Sequence, residues 1–148
     1  MKIEGMEREF IIIGENIHAT RSVLRKGKLV TTDPDGQDCV SFTGPSGEPR
    51  YMLIPESIKK TTEYEEGRVK HVRIAVLGAM SGEGRAAIDG MDYLRQMVRK
   101  QVNAGADYLD VNVDEISLSP AKQLEAMVWL SKTVQDMCSL PLSIDSSN

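Results

Sequence analysis

The feature that most constrains the fold is a strand over residues 108–113 that carries polar side chains. It follows a turn at Gly105 and consists of large apolar and β-branched residues, interrupted by Asp110 and Asn112. Alternation along a strand places these two side chains on the same face. A polar group in a buried strand costs free energy unless it is hydrogen-bonded. We therefore predict that this face of the strand lines a polar site.

Two other apolar runs end in the same way. Residues 10–13 form a short apolar run before Gly14, and residues 140–144 precede a polar terminus. In parallel α/β architectures, ligands bind beyond the carboxyl ends of the strands. The strand-end side chains that we predict to bind a ligand are Glu15, Asn16, Asp110, Asn112, Asp145 and Asn148.

Helical patterns separate these strands. Apolar residues recur at steps of three or four over residues 85–103, which predicts an amphipathic helix that Gly105 ends. A second helix is predicted from Pro120 to about Met137. Strands that alternate with helices in this way indicate a parallel α/β sheet with right-handed crossovers.

The segment between the first strand and the first long helix, residues 20–80, is too long for an ordinary connection. Turn residues around Gly44 separate two short apolar runs, which predicts a β-hairpin over residues 39–54. A helix is predicted over residues 56–66, and residues 71–77 fit either a strand or a helix. We therefore expect a β-rich insertion that leaves the sheet on its ligand side.

Composition narrows the class of protein. The 148 residues, 41% of them hydrophobic, suffice for one folded domain, and a formal net charge of -4 gives no basic footprint for nucleic acid. Two distant cysteines, Cys39 and Cys138, form neither a zinc motif nor a disulfide framework. With no signal peptide at the charged N-terminus and no membrane-spanning run, we predict a cytoplasmic protein.

The chemistry of the strand ends favours an uncharged ligand. Carboxylates accept hydrogen bonds and amides both donate and accept, which suits a heterocycle with several N–H groups. No Arg or Lys accompanies them, so a phosphate is disfavoured. A site for a hard metal ion is the competing interpretation. The amide side chains among the carboxylates argue against it. The two histidines, His18 and His71, are each interpreted as structural hydrogen-bonding residues.

Three stretches together resemble a known family. Gly14-Glu-Asn-Ile-His, Gly105-Ala-Asp-Tyr-Leu-Asp-Val-Asn-Val113 and Pro141-Leu-Ser-Ile-Asp-Ser-Ser-Asn148 are similar to the first three strand motifs of the pterin-binding superfamily, in its methyltetrahydrofolate:corrinoid methyltransferase branch. The resemblance covers about 90 residues, which include these motifs and their connections. Dihydropteroate synthases are more distantly similar, because their first motif differs from Gly14-Glu-Asn-Ile-His.

The resemblance implies the start of a TIM (β/α)8 barrel with parallel strands and a long β-rich insertion after strand 1. It implies methyltetrahydrofolate as substrate and transfer of its N5-methyl group to cobalamin, a corrinoid, on a partner domain or protein. Asp145 matches the family aspartate that holds the amino-pyrimidine edge, Asp110 and Asn112 match the adjacent pair, and Glu15 and Asn16 the first-strand pair. No residue is assigned as the general acid.

Length sets the alternatives. A TIM barrel needs about 250 residues, so the resemblance predicts that residues 1–148 are an N-terminal fragment that is inactive alone and associates with itself as a homo-oligomer. A self-contained α/β domain with three parallel strands is the structural alternative. The functional alternatives are a dihydropteroate synthase-like fragment and a noncatalytic pterin-binding or small-heterocycle-binding module.

Overall fold

Three separate sheets divide the strands of the chain. This computed structural model describes residues 4–5 and 10–147, and within them it contains eight strands and five helices. In chain order the elements are β1 (Ile13–His18), β2 (Val23–Leu24), β3 (Val30–Thr32), β4 (Asp38–Thr43), β5 (Pro49–Leu53), α1 (Glu56–Lys59), α2 (Thr62–Glu65), β6 (Arg68–Val69), α3 (His71–Ser81), α4 (Gly84–Asn103), β7 (Tyr108–Asn112), α5 (Pro120–Met137) and β8 (Leu142–Ile144).

The parallel sheet contains three strands in the order β1-β7-β8. β7 is the central strand, and its Leu109 and Val111 are fully buried. Ile17 of β1, Leu94 of α4 and Leu130 of α5 are buried in the same hydrophobic core. This helix-covered face of the sheet supplies the apolar burial that holds the strand ends in place.

The other two sheets lie within residues 20–80 and are antiparallel. β3, β4 and β5 form one sheet, in which Val40 of β4 pairs with Val30 and with Met52. β2 and β6 form a two-stranded ribbon. The hairpin predicted over residues 39–54 is confirmed by the pairing of β4 with β5.

The predicted fold class is wrong beyond its α/β character. Only one of the three sheets is parallel, and it has three strands, so the structure does not match the start of a TIM barrel that carries a β-rich insertion. The segment 20–80 also contains α1, α2 and α3. The prediction failed here because residues 71–77 fitted two periods equally well, and because the pairing of β2 with β6 joins residues more than 40 positions apart, which local patterns do not show.

The two long helices begin and end where the sequence predicted. Ser119 precedes α5 and its hydroxyl accepts a hydrogen bond from the backbone N–H of Lys122, while Pro120 occupies the first turn. Gly105 takes a positive φ of 89° after α4, a conformation that favours glycine. α3 and α4 pack closely at Gly90, where a Cβ would lie 2.5 Å from the carbonyl oxygen of Ala75.

The strand boundaries differ from the prediction at β1. The apolar run 10–13 was predicted to be the strand, whereas β1 runs from Ile13 to His18. Its pairing with β7 is irregular between Gly14 and Ile17. Glu15 and Asn16 therefore lie within a distorted strand and not beyond its end.

The β3-β4-β5 sheet lies on the carboxyl-end side of the parallel sheet. α4 runs alongside the sheet and extends past it. The position of a contact along α4 therefore shows how far the contacting element lies beyond the strand ends. From the carboxyl end of α4 toward its amino end, the contacts are Asn16 with Met97, then His71 with Tyr93, and then Arg50 with Asp89. The β3-β4-β5 sheet thus packs on the part of α4 that projects beyond the strand ends.

No helix within residues 4–5 and 10–147 combines the length and the apolar character that crossing a membrane requires.

Candidate functional site

The carboxyl ends of β7 and β8 bring three of the predicted residues together. Asp110 and Asn112 of β7 are buried, each with 6% of its surface exposed. The side-chain amide of Asn112 donates to Asp145 just after β8, with Nδ2 and Oδ2 3.3 Å apart. The parallel register of Val111 with Ile144 places Asn112 and Asp145 next to each other. The predicted grouping of Asp110, Asn112 and Asp145 is therefore present in the structure.

Asp114 joins this group, although the sequence analysis did not include it. Its backbone N–H donates to Oδ1 of Asn112 at 2.8 Å, and the backbone N–H of Ser147 donates to its carboxylate at 3.0 Å. The hydroxyl of Ser146 also donates to that carboxylate, at 3.1 Å. Burial alone would raise the pKa of Asp114, but the hydrogen bonds from Ser147, Ser146 and Asn112 hold it below its usual value. Asp114 is therefore a carboxylate that links the ends of β7 and β8.

His18 is the second residue that the sequence analysis did not assign to the site. Nε2 of its imidazole lies 2.6 Å from Oδ2 of Asp110, and its side chain keeps only 12% of its surface exposed. The register of β1 places His18 opposite Asn112. A lone histidine carries little sequence signal, but its position at the end of a strand that also carries Glu15 and Asn16 was the signal available. We call His18, Asp110, Asn112, Asp114 and Asp145 the carboxyl-end cluster.

The first-strand pair does not join this cluster. The side-chain amide of Asn16 donates to the backbone carbonyl of Met97 in α4 at 3.0 Å, and its Oδ1 is buried without a partner among the described residues. Glu15 is exposed and lies 3.7 Å from Arg21. The irregularity in β1 separates these two residues from the cluster. Asn148, the remaining predicted site residue, lies outside the described residues.

A metal ion would need a different arrangement of the cluster. His18, Asp110 and Asp145 each offer a ligand atom, and these atoms lie within 4.8 Å of one another. Two atoms that bind one ion at about 2.1 Å in octahedral geometry stand about 3 Å apart. The 2.6 Å separation of His18 from Asp110 is that of a charge-assisted hydrogen bond instead.

Basic side chains do not neutralise the carboxylates of the cluster. Within residues 4–5 and 10–147, no Lys or Arg nitrogen lies within 4.0 Å of a carboxylate oxygen of Asp110, Asp114 or Asp145. The nearby Lys70 pairs with Glu115, and Arg21 pairs with Glu15. Acceptor oxygens therefore remain at the strand ends without a cationic partner.

The other histidine has a separate environment. Nδ1 of His71 lies 2.6 Å from the hydroxyl of Tyr93, and both side chains are buried. Burial, with smaller contributions from the charges of Arg21 and Lys100, lowers the pKa of His71 to about 4. Burial also raises the pKa of Tyr93. His71 is therefore neutral near pH 7, as the structural interpretation expected.

A groove of about 730 Å³ lies elsewhere, between α4 and α5. Its lining includes Val98, Arg99 and Met137, and none of its lining residues belongs to the carboxyl-end cluster. The groove follows the outer surface of the two helices, where α5 leaves α4 incompletely covered. It lacks the convergent acceptors found at the strand ends, so we keep the cluster as the candidate site.

Comparison of the chain with protein-family models and with curated proteins finds no match in either case.

Proposed function

We propose that the carboxyl-end cluster binds the pterin ring of methyltetrahydrofolate, and that the protein takes part in transfer of the N5-methyl group to a corrinoid. The observation that carries this proposal is the convergence of Asp110, Asn112 and Asp145 without a cationic partner. The resemblance of the three strand motifs supplies the identity of the ligand. The acceptor is a corrinoid on a partner domain or protein, as the resemblance implies.

The donor and acceptor chemistry supports this ligand over an anion. The amino-pyrimidine edge of a pterin presents N–H donors beside ring acceptors, and carboxylates accept from such donors. Asn112 completes the match because its amide can both donate and accept. A phosphate would instead meet Asp110, Asp114 and Asp145 without a neutralising Arg or Lys. The cluster therefore fits a neutral, donor-rich heterocycle.

Each residue then has a defined part. Asp145 is exposed, so its carboxylate can accept from the ligand's N–H groups while Asn112 holds it. Asp114, fixed by Ser147, orients Asn112 through their mutual hydrogen bonds. One oxygen of Asp110 is occupied by His18, which leaves the other for the ligand. When bound, the corrinoid supplies the nucleophile that takes the methyl group.

We place this activity in the cytoplasm. Cys39 is buried and Cys138 is half-buried, and both are free thiols in the structure. Free thiols persist in reducing compartments, which supports this location.

Calorimetric binding of methyltetrahydrofolate tests the proposal. We expect the wild-type chain to bind and Asp145→Asn to lose at least about tenfold in affinity, which corresponds to about 1.4 kcal/mol for a charge-assisted hydrogen bond. Glu125→Gln is the matched control, because Glu125 is an exposed acid on α5 outside the cluster. Equal affinity of Asp145→Asn and wild type would contradict the assignment, provided that circular dichroism shows both variants folded.

A further inference from the structure

We propose that His18 is a proton donor to the ligand at this site, with Asp110 as its positioning residue. This inference rests on the proposed function and deepens it, because methyl transfer from a tertiary amine requires a proton at N5 and no other group has been assigned to supply it. Three observations carry it: the contact of His18 with Asp110, the absence of a hydrogen-bond partner at the second imidazole nitrogen, and the short distance between His18 and Asp145.

The contact with Asp110 decides which nitrogen of His18 carries a proton. An ionised carboxylate only accepts, so when Asp110 is ionised Nε2 donates to Oδ2 across the 2.6 Å separation. In neutral His18 the proton is then on Nε2, and Nδ1 has a free lone pair. Protonation of Nδ1 gives an imidazolium that the Asp110 carboxylate stabilises. The pair thus has the arrangement of a general acid held by a carboxylate.

The second nitrogen is available to a ligand. Among the described residues, Nδ1 of His18 has no hydrogen-bond partner, and it is not among the buried side-chain atoms that lack one. The imidazole is therefore held at one end and reaches solvent at the other. By contrast, Nδ1 of His71 is occupied by the Tyr93 hydroxyl. Of the two histidines in the chain, His18 is the one placed to exchange a proton with a ligand.

His18 lies close to the residue that we propose contacts the amino-pyrimidine edge. Asp145 follows β8, Asn112 ends the central β7, and His18 ends β1. Although β1 and β8 are not neighbours, a ring nitrogen of His18 lies within 4.8 Å of a carboxylate oxygen of Asp145. A fused two-ring ligand that contacts Asp145 is therefore within reach of the imidazole of His18.

The proposed step balances. The N5–methyl bond breaks and its electron pair stays on N5. The methyl group would pass as a formal cation to a corrinoid bound beside the site, and the corrinoid would supply the electron pair of the new bond. N5 takes the proton from Nδ1 of the imidazolium, which leaves tetrahydrofolate with an N5–H group and neutral His18. Solvent then restores the proton to His18.

The charges around His18 are mostly negative. Asp110 contacts it directly, and Asp145 lies within 4.8 Å of it. Asp114 is linked to Asp145 through Asn112, whose side-chain amide donates to both carboxylates. Arg21, on the loop after β1, pairs with Glu15, and Lys70, just before α3, pairs with Glu115. Each of these two cations is therefore paired with another acid.

Proton-linked calorimetry tests the inference on the full chain. We will titrate methyltetrahydrofolate at pH 7.5 in buffers with different ionisation enthalpies, which reports the protons exchanged on binding. Because a hydrogen bond from Nδ1–H to N5 favours imidazolium, we expect wild type to take up part of one proton per ligand bound. His18→Gln keeps an amide donor for Asp110 and should still bind, without the proton uptake. Asp110→Asn should reduce the uptake.

A nuclear magnetic resonance measurement on the wild-type protein tests the inference without relying on the folding of the variants. With ¹⁵N-labelled histidine only two imidazoles give signals, and His71 is neutral at pH 7.5. Ligand binding should move the Nδ1 signal of His18 toward the protonated position and leave His71 unchanged. Binding with an unchanged His18 signal, or with equal proton uptake in His18→Gln, overturns this inference alone. No binding to the wild-type chain overturns the proposed function as well.

Discussion

Two groups of aspartates in this chain have opposite surroundings. On the amino-terminal part of α4, Asp89 is buried and accepts from Arg50 at 2.5 Å and from Arg85 at 3.1 Å. Asp92 pairs with Arg50 at 2.9 Å. At the carboxyl ends of β7 and β8, the aspartates of the cluster have no such cations among the described residues.

The difference separates carboxylates that stabilise the fold from carboxylates without a cationic partner. Arg50 belongs to β5 and Asp89 to α4, so their ion pair joins the β3-β4-β5 sheet to the helix. The hydrogen bonds that Arg50 donates to Asp89 and Asp92 raise its pKa. The cluster is held by hydrogen bonds of its own, from Asn112 and Ser147 to Asp114. The carboxylates of α4 are therefore paired with cations, whereas no Lys or Arg among the described residues pairs with those of the cluster.

Breaking the ion network should produce the largest effect. Arg50→Ala leaves the buried Asp89 with Arg85 alone, and we expect a loss of about 3 kcal/mol in the free energy of unfolding. Urea denaturation measures it. Arg68→Ala is the control, because Arg68 pairs with Glu66 at the exposed surface and should change stability little. Equal stability of the two variants would show that the network does not hold the β3-β4-β5 sheet against α4.

The second-largest effect should be a loss of stability in acid, caused by protonation of the buried His71. The folded-state pKa of His71 is about 4 and its ordinary value is 6.5, so the unfolded chain binds more protons between these limits. This contribution to stability is fully present above pH 6.5 and is lost as the pH falls toward 4, by an amount on the order of 2–3 kcal/mol. In His71→Gln, that part of the pH dependence should disappear from thermal unfolding curves. An identical pH profile in the variant would contradict the assignment.

Much of the local structure around the cluster could be predicted from the sequence. The stripe on α4 and the Ser119-Pro120 start of α5 mark long helices through local signals that tertiary contacts did not overturn. The acceptors Asp110, Asn112 and Asp145 were predicted together because alternation and strand order place them at one edge. These inferences needed only neighbouring residues and the parallel arrangement of three strands.

The remainder depends on contacts that local patterns do not show. Asn16 turns toward Met97 because β1 is irregular, and a strand irregularity has no signal in Gly14-Glu-Asn-Ile-His. His18 enters the cluster through Asp110, 92 positions away in the sequence. The sheet arrangement was mispredicted for the same reason, because the pairing of β2 with β6 is set by tertiary packing.

The smallest change in stability should come from the cluster. Asp145→Asn removes one of three carboxylates that lack cationic partners, and Asp145 is exposed. We expect its free energy of unfolding to stay within about 0.5 kcal/mol of wild type, although ligand binding falls. Urea denaturation beside Arg50→Ala gives the comparison directly. A loss near that of Arg50→Ala would mean that Asp145 holds the fold.

Amide chemical shifts during a titration with methyltetrahydrofolate test most directly the claim that the ligand binds at the carboxyl-end cluster. We predict saturable shifts for the backbone amides of Asn112, Asp114 and Ser147, with Asp89 and Asp92 unchanged. The same titration of Asp145→Asn should need about tenfold more ligand to reach half saturation. Shifts confined to α4 and the β3-β4-β5 sheet, or no shifts at any ligand concentration, would contradict the claim.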